Sequence, residues 1–227
     1  MSTETCRTGA LSCTACNTYN CSKLNKEFPA FCLTTISRQG GDITQQIEEV
    51  TALYREDPFV SKIARAAAEI EGEYYGKYTR AEEIVAFAKR IEAKKVGIAT
   101  CGGLINEAKI FVKILTKQGL ESFSVMCKVG AVHKAAIGIE AKYIRAPRGS
   151  HVSICNPVLQ AKLLNQEGTD LNVVIGLCVG HDALFTKYSA APVTTLIAKD
   201  RVLGHNPAAA LYTTCSYYKK LVREENE

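Results

Sequence analysis

Residues 172–185 read NVVIGLCVGHDALF, and this stretch decides the fold. Asn172 to Leu177 form a short, mostly apolar and β-branched run of the kind that suits a strand buried on both faces. Cys178, Gly180, His181 and Asp182 follow, and Ala183 onward has a helical pattern, with Asp182 placed to cap it. A polar cluster between a buried strand and a helix occupies the loop position where open α/β sheets place their ligands.

Working outward, the same alternation recurs. Val96 to Thr100 reads as a strand, Leu104 to Gln118 as a helix stopped by Gly119, and Phe123 to Met126 as a second strand. A long connection runs from Gly130 to Ser153, where a short helix or a lid is expected. Asn156 and Pro157 start another helix, Val193 to Ala198 gives a last strand, and Asn206-Pro207 opens a terminal helix, AAALYTTCSYYKKLV. Alternating strands and helices predict an α/β fold: a mostly parallel open sheet with helices on both faces.

Upstream, three helix starts stand out: Asp42 with Gln45, Asp57 before Pro58, and Thr79 with Glu82. The second helix aligns Phe59, Ile63, Ala67 and Ile70, and the third aligns Ile84, Phe87, Ala88 and Ile91. The division that follows is a Cys-rich metal-binding segment at 1–41 ending in Gly40-Gly41, a helical segment at 42–94 packing on the core, and an α/β core at 95–227 with a cysteine-lined cleft.

At 227 residues the chain can bury a core without disulfide staples. Its composition, 47% hydrophobic and 22% charged, is that of a globular protein rather than a disordered or fibrous one. The net charge of +5 is dispersed and only 7% of residues are aromatic, which does not support nucleic-acid binding. The first twenty residues lack the apolar core of a signal peptide and no stretch has the length of a membrane span, so a cytoplasmic protein without a membrane partner is expected. Ten cysteines in a reducing compartment then point to metal binding or catalysis rather than to a disulfide framework.

Their placement is informative. Cys101 follows the first strand, Cys127 ends the second, Cys155 precedes the capped helix and Cys178 follows the third strand, whereas Cys215 falls inside the terminal helix. Four thiols at the carboxyl edge of one sheet predict a shared cation, because clustered thiolates repel one another. Gly102, Gly103, Gly130 and Gly180 lie just behind them and can turn backbone N–H groups toward cluster sulfurs. Ligands drawn from separate loops favour an iron–sulfur cluster, with zinc as the alternative. His181, Lys199 and His205 are candidate outer groups for proton transfer and charge, in a positive wall that includes Arg201. A thiol nucleophile at Cys178 paired with a histidine is a further reading, although a histidine three residues on is reached only if the loop folds back.

The N-terminal cysteines have the spacing C-x2-C-x4-C-x10-C, from Cys13 through Cys16 and Cys21 to Cys32, with Cys6 spare or replacing Cys32. A close pair with two more thiols is a metal signal, and zinc in so small a knuckle would supply much of its folding free energy. The pattern departs from a zinc ribbon and reverses the short gaps of plant-type ferredoxins, so zinc and a cluster both remain open.

The stretches CTACNTYNC, GIATCGGL, MCKVG, CNPVLQAKLLN and GTDLNVVIGLCVGHDALFTKYSAAPVTTLIAKDRVLGHNPAAALY resemble the prokaryotic family called domain of unknown function eighteen forty-seven, which carries a metal-binding label. The resemblance implies metal binding and supplies neither substrate nor reaction. With the residues it gives one expectation, a metal-binding protein with a redox or sulfur-chemistry site, served by a redox partner or a small-molecule substrate. Its enzyme classes would be iron–sulfur oxidoreductase and sulfur transfer. The rivals are a zinc-stapled scaffold with free core thiols and a metal-free cysteine enzyme using Cys178.

Overall fold

The computed structural model describes residues 12–36, 42–145, 147 and 149–223, so Cys6 and the Gly40-Gly41 exit lie outside the described residues. The chain separates into two compact units, residues 1–65 and 66–227.

In the first unit, Cys13–Ala15 form a 3-10 turn and Asn20–Lys23 a single helical turn, α1. The buried Asn20 accepts the Lys26 N–H at its Oδ1 (2.8 Å), which fixes the turn. Helix α2 (Thr44–Glu56) begins one residue later than a cap at Asp42 would place it, yet Asp42 still accepts the Thr44 N–H and hydroxyl. Helix α3 (Pro58–Tyr74), which spans the division at residue 65, opens with Asp57 accepting the Val60 N–H at 2.8 Å, as the Asp-Pro pair predicts. On the expected apolar face Ile70 is buried, together with Ala66, whereas Phe59 is exposed.

In the second unit, Thr79 and Glu82 form a reciprocal capping box at the start of α4 (Arg80–Arg90), which buries Ile84, Val85 and Ala88. Then come β1 (Lys95–Thr100), α5 (Ile105–Lys117), β2 (Glu121–Met126), α6 (Pro157–Gln166), β3 (Leu171–Ile175), α7 (His181–Tyr188), β4 (Val193–Ile197) and α8 (Ala208–Tyr212). The four strands form one sheet in the order β2-β1-β3-β4, every pairing parallel.

Right-handed crossovers in this order put α5 on one face and α6 and α7 on the other, since the first crossover runs toward one edge and the later two toward the opposite one. Packing agrees. Ala99, Val125 and Val174 share a face with Ala161 and Leu164 of α6 and Phe185 of α7. Helix α5 lies on β1 and β2, and α4 on β4. Each of Phe111, Leu164 and Phe185 is almost wholly buried, contributing about 2–3 kcal/mol. The reversal of winding falls between β1 and β3, and in such sheets the crevice opens at that point, outside the carboxyl ends.

Two expectations need correction. Helix α7 begins at His181 with Gly180 as its cap, so Asp182 sits inside the first turn, where its Oδ1 accepts the Ala183 N–H. The terminal helix stops at Tyr212 and gives way to turns, leaving Cys215 exposed rather than inside a helix. The hydroxyls of Thr213, Thr214 and Ser216 bond back to the carbonyls of Ala209, Leu211 and Thr213, competing with the helical ladder.

The long connection carries 3-10 turns at Lys134–Ile137 and Ala141–Tyr143. Its two ends pair antiparallel, Lys134 N–H to the Val152 carbonyl (3.0 Å) and Ile154 N–H to the Val132 carbonyl (2.8 Å). The segment is therefore a closed flap, and it returns the chain to the sheet edge at Cys155.

Candidate functional site

All four core cysteines stand at or beside the carboxyl ends of the strands, and the reason is local in each case. Cys101 is the first residue past β1, its N–H still bonded to the Ile175 carbonyl (3.1 Å). Cys127 is the first past β2, its N–H on the Thr100 carbonyl (2.8 Å). Cys155 is drawn in because the next residue, Asn156, donates its N–H to the Cys127 carbonyl (2.7 Å) while its side chain caps α6. Cys178 follows β3 through Gly176, whose φ of +68° and closeness to Leu104 leave no room for a side chain: a Cβ would lie 1.9 Å from Leu104 Cδ1.

The sulfurs have distinct partners. Lys199 Nζ donates to Cys101 Sγ (3.5 Å), the Gly102 N–H to Cys127 Sγ (3.4 Å) and Arg201 Nη2 to Cys178 Sγ (2.8 Å). Burial pushes the Cys101 thiol up, but the Gly103 N–H, the Lys199 ammonium and Cys127 outweigh it and hold the thiol below its ordinary value. Cys127, almost fully buried, is pushed up to about 11 by desolvation and then by Cys155 and Cys101, against the pull of the Gly102 N–H. Two neighbouring thiols thus differ in opposite directions.

Beneath them, Gln160 on α6 is wholly buried and its Nε2 donates to the carbonyls of Thr100 (3.2 Å) and Val125 (2.7 Å). One side chain ties the ends of β1 and β2 just where Cys101 and Cys127 begin.

The loop after β3 does fold back. The N–H groups of His181 and Asp182 both bond to the Cys178 carbonyl (2.9 and 3.1 Å), and Gly180 takes φ +83°. Cys178 and His181 therefore line one cavity of about 450 Å³, with Cys155, Arg201, Lys128 and Lys134, and with Ile137, Ile139 and Tyr143 from the flap. Three cations and no carboxylate line it. Burial, then Lys128, then Arg201 lower His181 against the opposing pull of Asp182, so the imidazole is neutral at pH 7, and its Nδ1 is buried without a partner.

Other expected residues lie elsewhere. His205 accepts the Asp200 N–H at Nδ1 (3.1 Å) and closes its own loop, in which Asp200 also accepts from Val202 and Leu203. Lys199 reaches Cys101 and His181 reaches the cavity, while Gly130 approaches Leu159. The rings of His133 and His151 lie 5.3 Å apart in the flap. Among the N-terminal cysteines, Cys13 and Cys21 are exposed, and Cys16 lies 3.5 Å from the Thr18 hydroxyl, which with the Tyr19 and Thr18 N–H groups lowers its thiol.

The implied metal can be tested against these donors. Thiols backed by N–H groups are chemically suited to zinc or a cluster. In geometry, Cys127 has Cys101 and Cys155 as neighbours. Cys178 is turned to Arg201, and among the described residues no group of three or more Cys, His, Asp or Glu side chains is gathered so as to hold a metal ion.

Lys128 and Gln160 were missed as site residues by sequence reasoning. Arg201 was read as part of a positive wall without Cys178 as its partner, and Lys128 follows Cys127 directly, which was the available signal. Nothing in the sequence marks a glutamine within an amphipathic helix as a clamp.

Fold and site together define an open parallel α/β protein with cysteine-bearing loops at its carboxyl edge. The chain belongs to the family described as "Protein of unknown function (DUF1847)", whose profile matches residues 39–196. It is also 51% identical over 181 residues to "Uncharacterized protein MJ0455" of Methanocaldococcus jannaschii, covering 80% of this chain and 89% of that protein. The family match takes in all four core cysteines and none of Cys13, Cys16, Cys21 and Cys32. Among the described residues no helix is long and apolar enough to cross a membrane.

Proposed function

We propose that the protein is a cysteine-dependent enzyme acting on an anionic small molecule, with Cys178 as nucleophile. The observation that carries this reading is the Arg201 guanidinium 2.8 Å from Cys178 Sγ, in a cavity that also holds His181 and is lined by three cations. A charged donor at that distance holds the sulfur in one rotamer. Lys128 and Lys134 supply the attraction for an acidic substrate group, and the flap's Ile137, Ile139 and Tyr143 cover its apolar part. The Cys178 thiol passes its proton to His181 as the sulfur bonds to an electrophilic centre, and the resulting imidazolium returns that proton to the departing group. A reducing cytoplasm is the compartment that keeps such thiols available.

The test compares negatively charged iodoacetate with neutral iodoacetamide. Cys178 is expected to alkylate faster with iodoacetate, reversing the preference of a free thiol, with the site identified by peptide mass spectrometry. A preference for iodoacetamide at Cys178 would overturn the reading.

A second reading, an iron–sulfur or zinc protein, is favoured by the succession Cys101, Cys127, Cys155 and by the N–H groups directed at Cys16. Iron with matching acid-labile sulfide, or stoichiometric zinc, in protein purified without oxygen would support it. Metal-free protein with ten titratable thiols would count against it.

A further inference from the structure

The pairing of β1 with β2 runs in register from Lys95–Glu121 to Thr100–Met126, so one more step sets Cys101 opposite Cys127. Paired residues on adjacent parallel strands point to the same side and lie about 4.8 Å apart, within the Cα separation of about 4.4–6.8 Å that a disulfide spans. The Cys127 sulfur is turned toward the end of β1. The peptide N–H next to Cys101, that of Gly102, already reaches Cys127 Sγ at 3.4 Å.

The two residues are not equivalent. Cys101 is partly exposed, with Lys199 Nζ on its sulfur, whereas Cys127 is 3% exposed and lies behind it. An incoming reagent meets Cys101 first. Gln160 holds both strand ends through the Thr100 and Val125 carbonyls, which keeps the spacing fixed.

We propose that Cys101 and Cys127 are a redox-active dithiol that reduces low-molecular-weight disulfides, a second chemistry beside the Cys178 cavity. The Cys101 thiolate attacks one sulfur of a disulfide RSSR, forming Cys101–S–SR and releasing RS⁻, which takes a proton. Cys127 loses its proton and attacks Cys101 Sγ, forming the Cys101–Cys127 disulfide and releasing the second RS⁻, protonated in turn. The sum is two protein thiols and RSSR giving a protein disulfide and two RSH, with two electrons passing to the substrate. A small dithiol reductant reverses the protein half and completes the cycle. Lys199 is the positioning residue, holding negative charge on the sulfur that is struck first.

The experiment treats fully reduced protein, without oxygen, with 2-hydroxyethyl disulfide and maps its tryptic peptides by mass spectrometry. Cys101 lies between Lys95 and Lys109 and Cys127 between Lys117 and Lys128, so the two thiols fall on separate peptides. The expected result is a cross-link joining them. In Cys127→Ser the reaction stops with one mercaptoethanol retained on Cys101. A cross-link from Cys127 to Cys155, or a retained adduct on Cys127 rather than Cys101 in the wild-type protein, would overturn the proposal. Because the wild-type map decides by itself, a poorly folding variant does not protect the idea. The Cys178 reading is read separately, from alkylation at Cys178.

Discussion

The chain has two sets of cysteines, and they are organised by opposite means. Cys13, Cys16, Cys21 and Cys32 are close in sequence, and the donors that act on Cys16, from Thr18 and Tyr19, come from two or three residues away. Cys101, Cys127, Cys155 and Cys178 are scattered, and their partners come from far along the chain: Lys199 for Cys101, Gly102 for Cys127, Arg201 for Cys178. The first set depends on turns, the second on a parallel sheet whose strand ends bring distant loops together. Substitutions that disturb the sheet should therefore alter the second set without any change to a cysteine, whereas the first set should respond only to its immediate neighbours.

The largest effect is expected from Gly176→Ala. The added Cβ would lie 1.9 Å from Leu104 Cδ1 at a residue with φ +68°, and overpacking together with backbone strain should cost about 2–4 kcal/mol in urea denaturation. Because Cys178 stands two residues on, its alkylation rate should also change. Gln160→Leu comes next: it removes the donor shared by the Thr100 and Val125 carbonyls and should cost about 1–3 kcal/mol. It should also reduce the yield of the Cys101–Cys127 cross-link.

His181→Asn is expected to act through pH. The folded protein holds His181 below its ordinary value of 6.5, so the unfolded chain binds the proton more readily. Stability attributable to this residue is present above about pH 6.5 and is lost as the pH falls through the folded value. Denaturation midpoints measured across this range should decline less steeply in the variant. The smallest effect belongs to the local set: Thr18→Ala should slow alkylation of Cys16 alone, because the Thr18 hydroxyl is the first cause of its lowered thiol.

Strands β1 and β3 and the positions of the core cysteines were legible because buried parallel strands read as short β-branched runs, with Cys101 directly after β1, Cys127 directly after β2 and Cys178 three residues past the end of β3. Asn156 as cap and the Thr79–Glu82 box were legible for the same reason, since their partners lie three residues away. The start of α7 was placed too late because Asp182 is a good cap by composition, while the left-handed backbone of Gly180 allows the turn two residues earlier. The extent of the last helix was overestimated because hydroxyl back-bonding from Thr213 and Thr214 does not alter an apolar pattern.

The arrangement around the sulfurs was less legible. Position at the sheet edge predicted that the thiols would lie near one another, yet the direction of each sulfur is set by cations and N–H groups that only the folded chain supplies. Arg201 is 23 residues from Cys178, and Lys199 is 98 residues from Cys101. Four cysteines on four loops suggested a single shared site. In the fold Gln160 ties the strand ends that carry Cys101 and Cys127, Cys155 neighbours Cys127, and Cys155 also lines the cavity in which Cys178 meets Arg201.

The central claim is that Arg201 makes Cys178 the thiol of an anion-selecting cavity. The most direct measurement is the ratio of iodoacetate to iodoacetamide alkylation rates at Cys178, in the wild-type protein and in Arg201→Met, against a small free thiol in the same buffer. The account predicts a ratio well above that of the free thiol in the wild type, falling toward it in the variant. A wild-type ratio equal to that of the free thiol, or one unchanged by Arg201→Met, would contradict it.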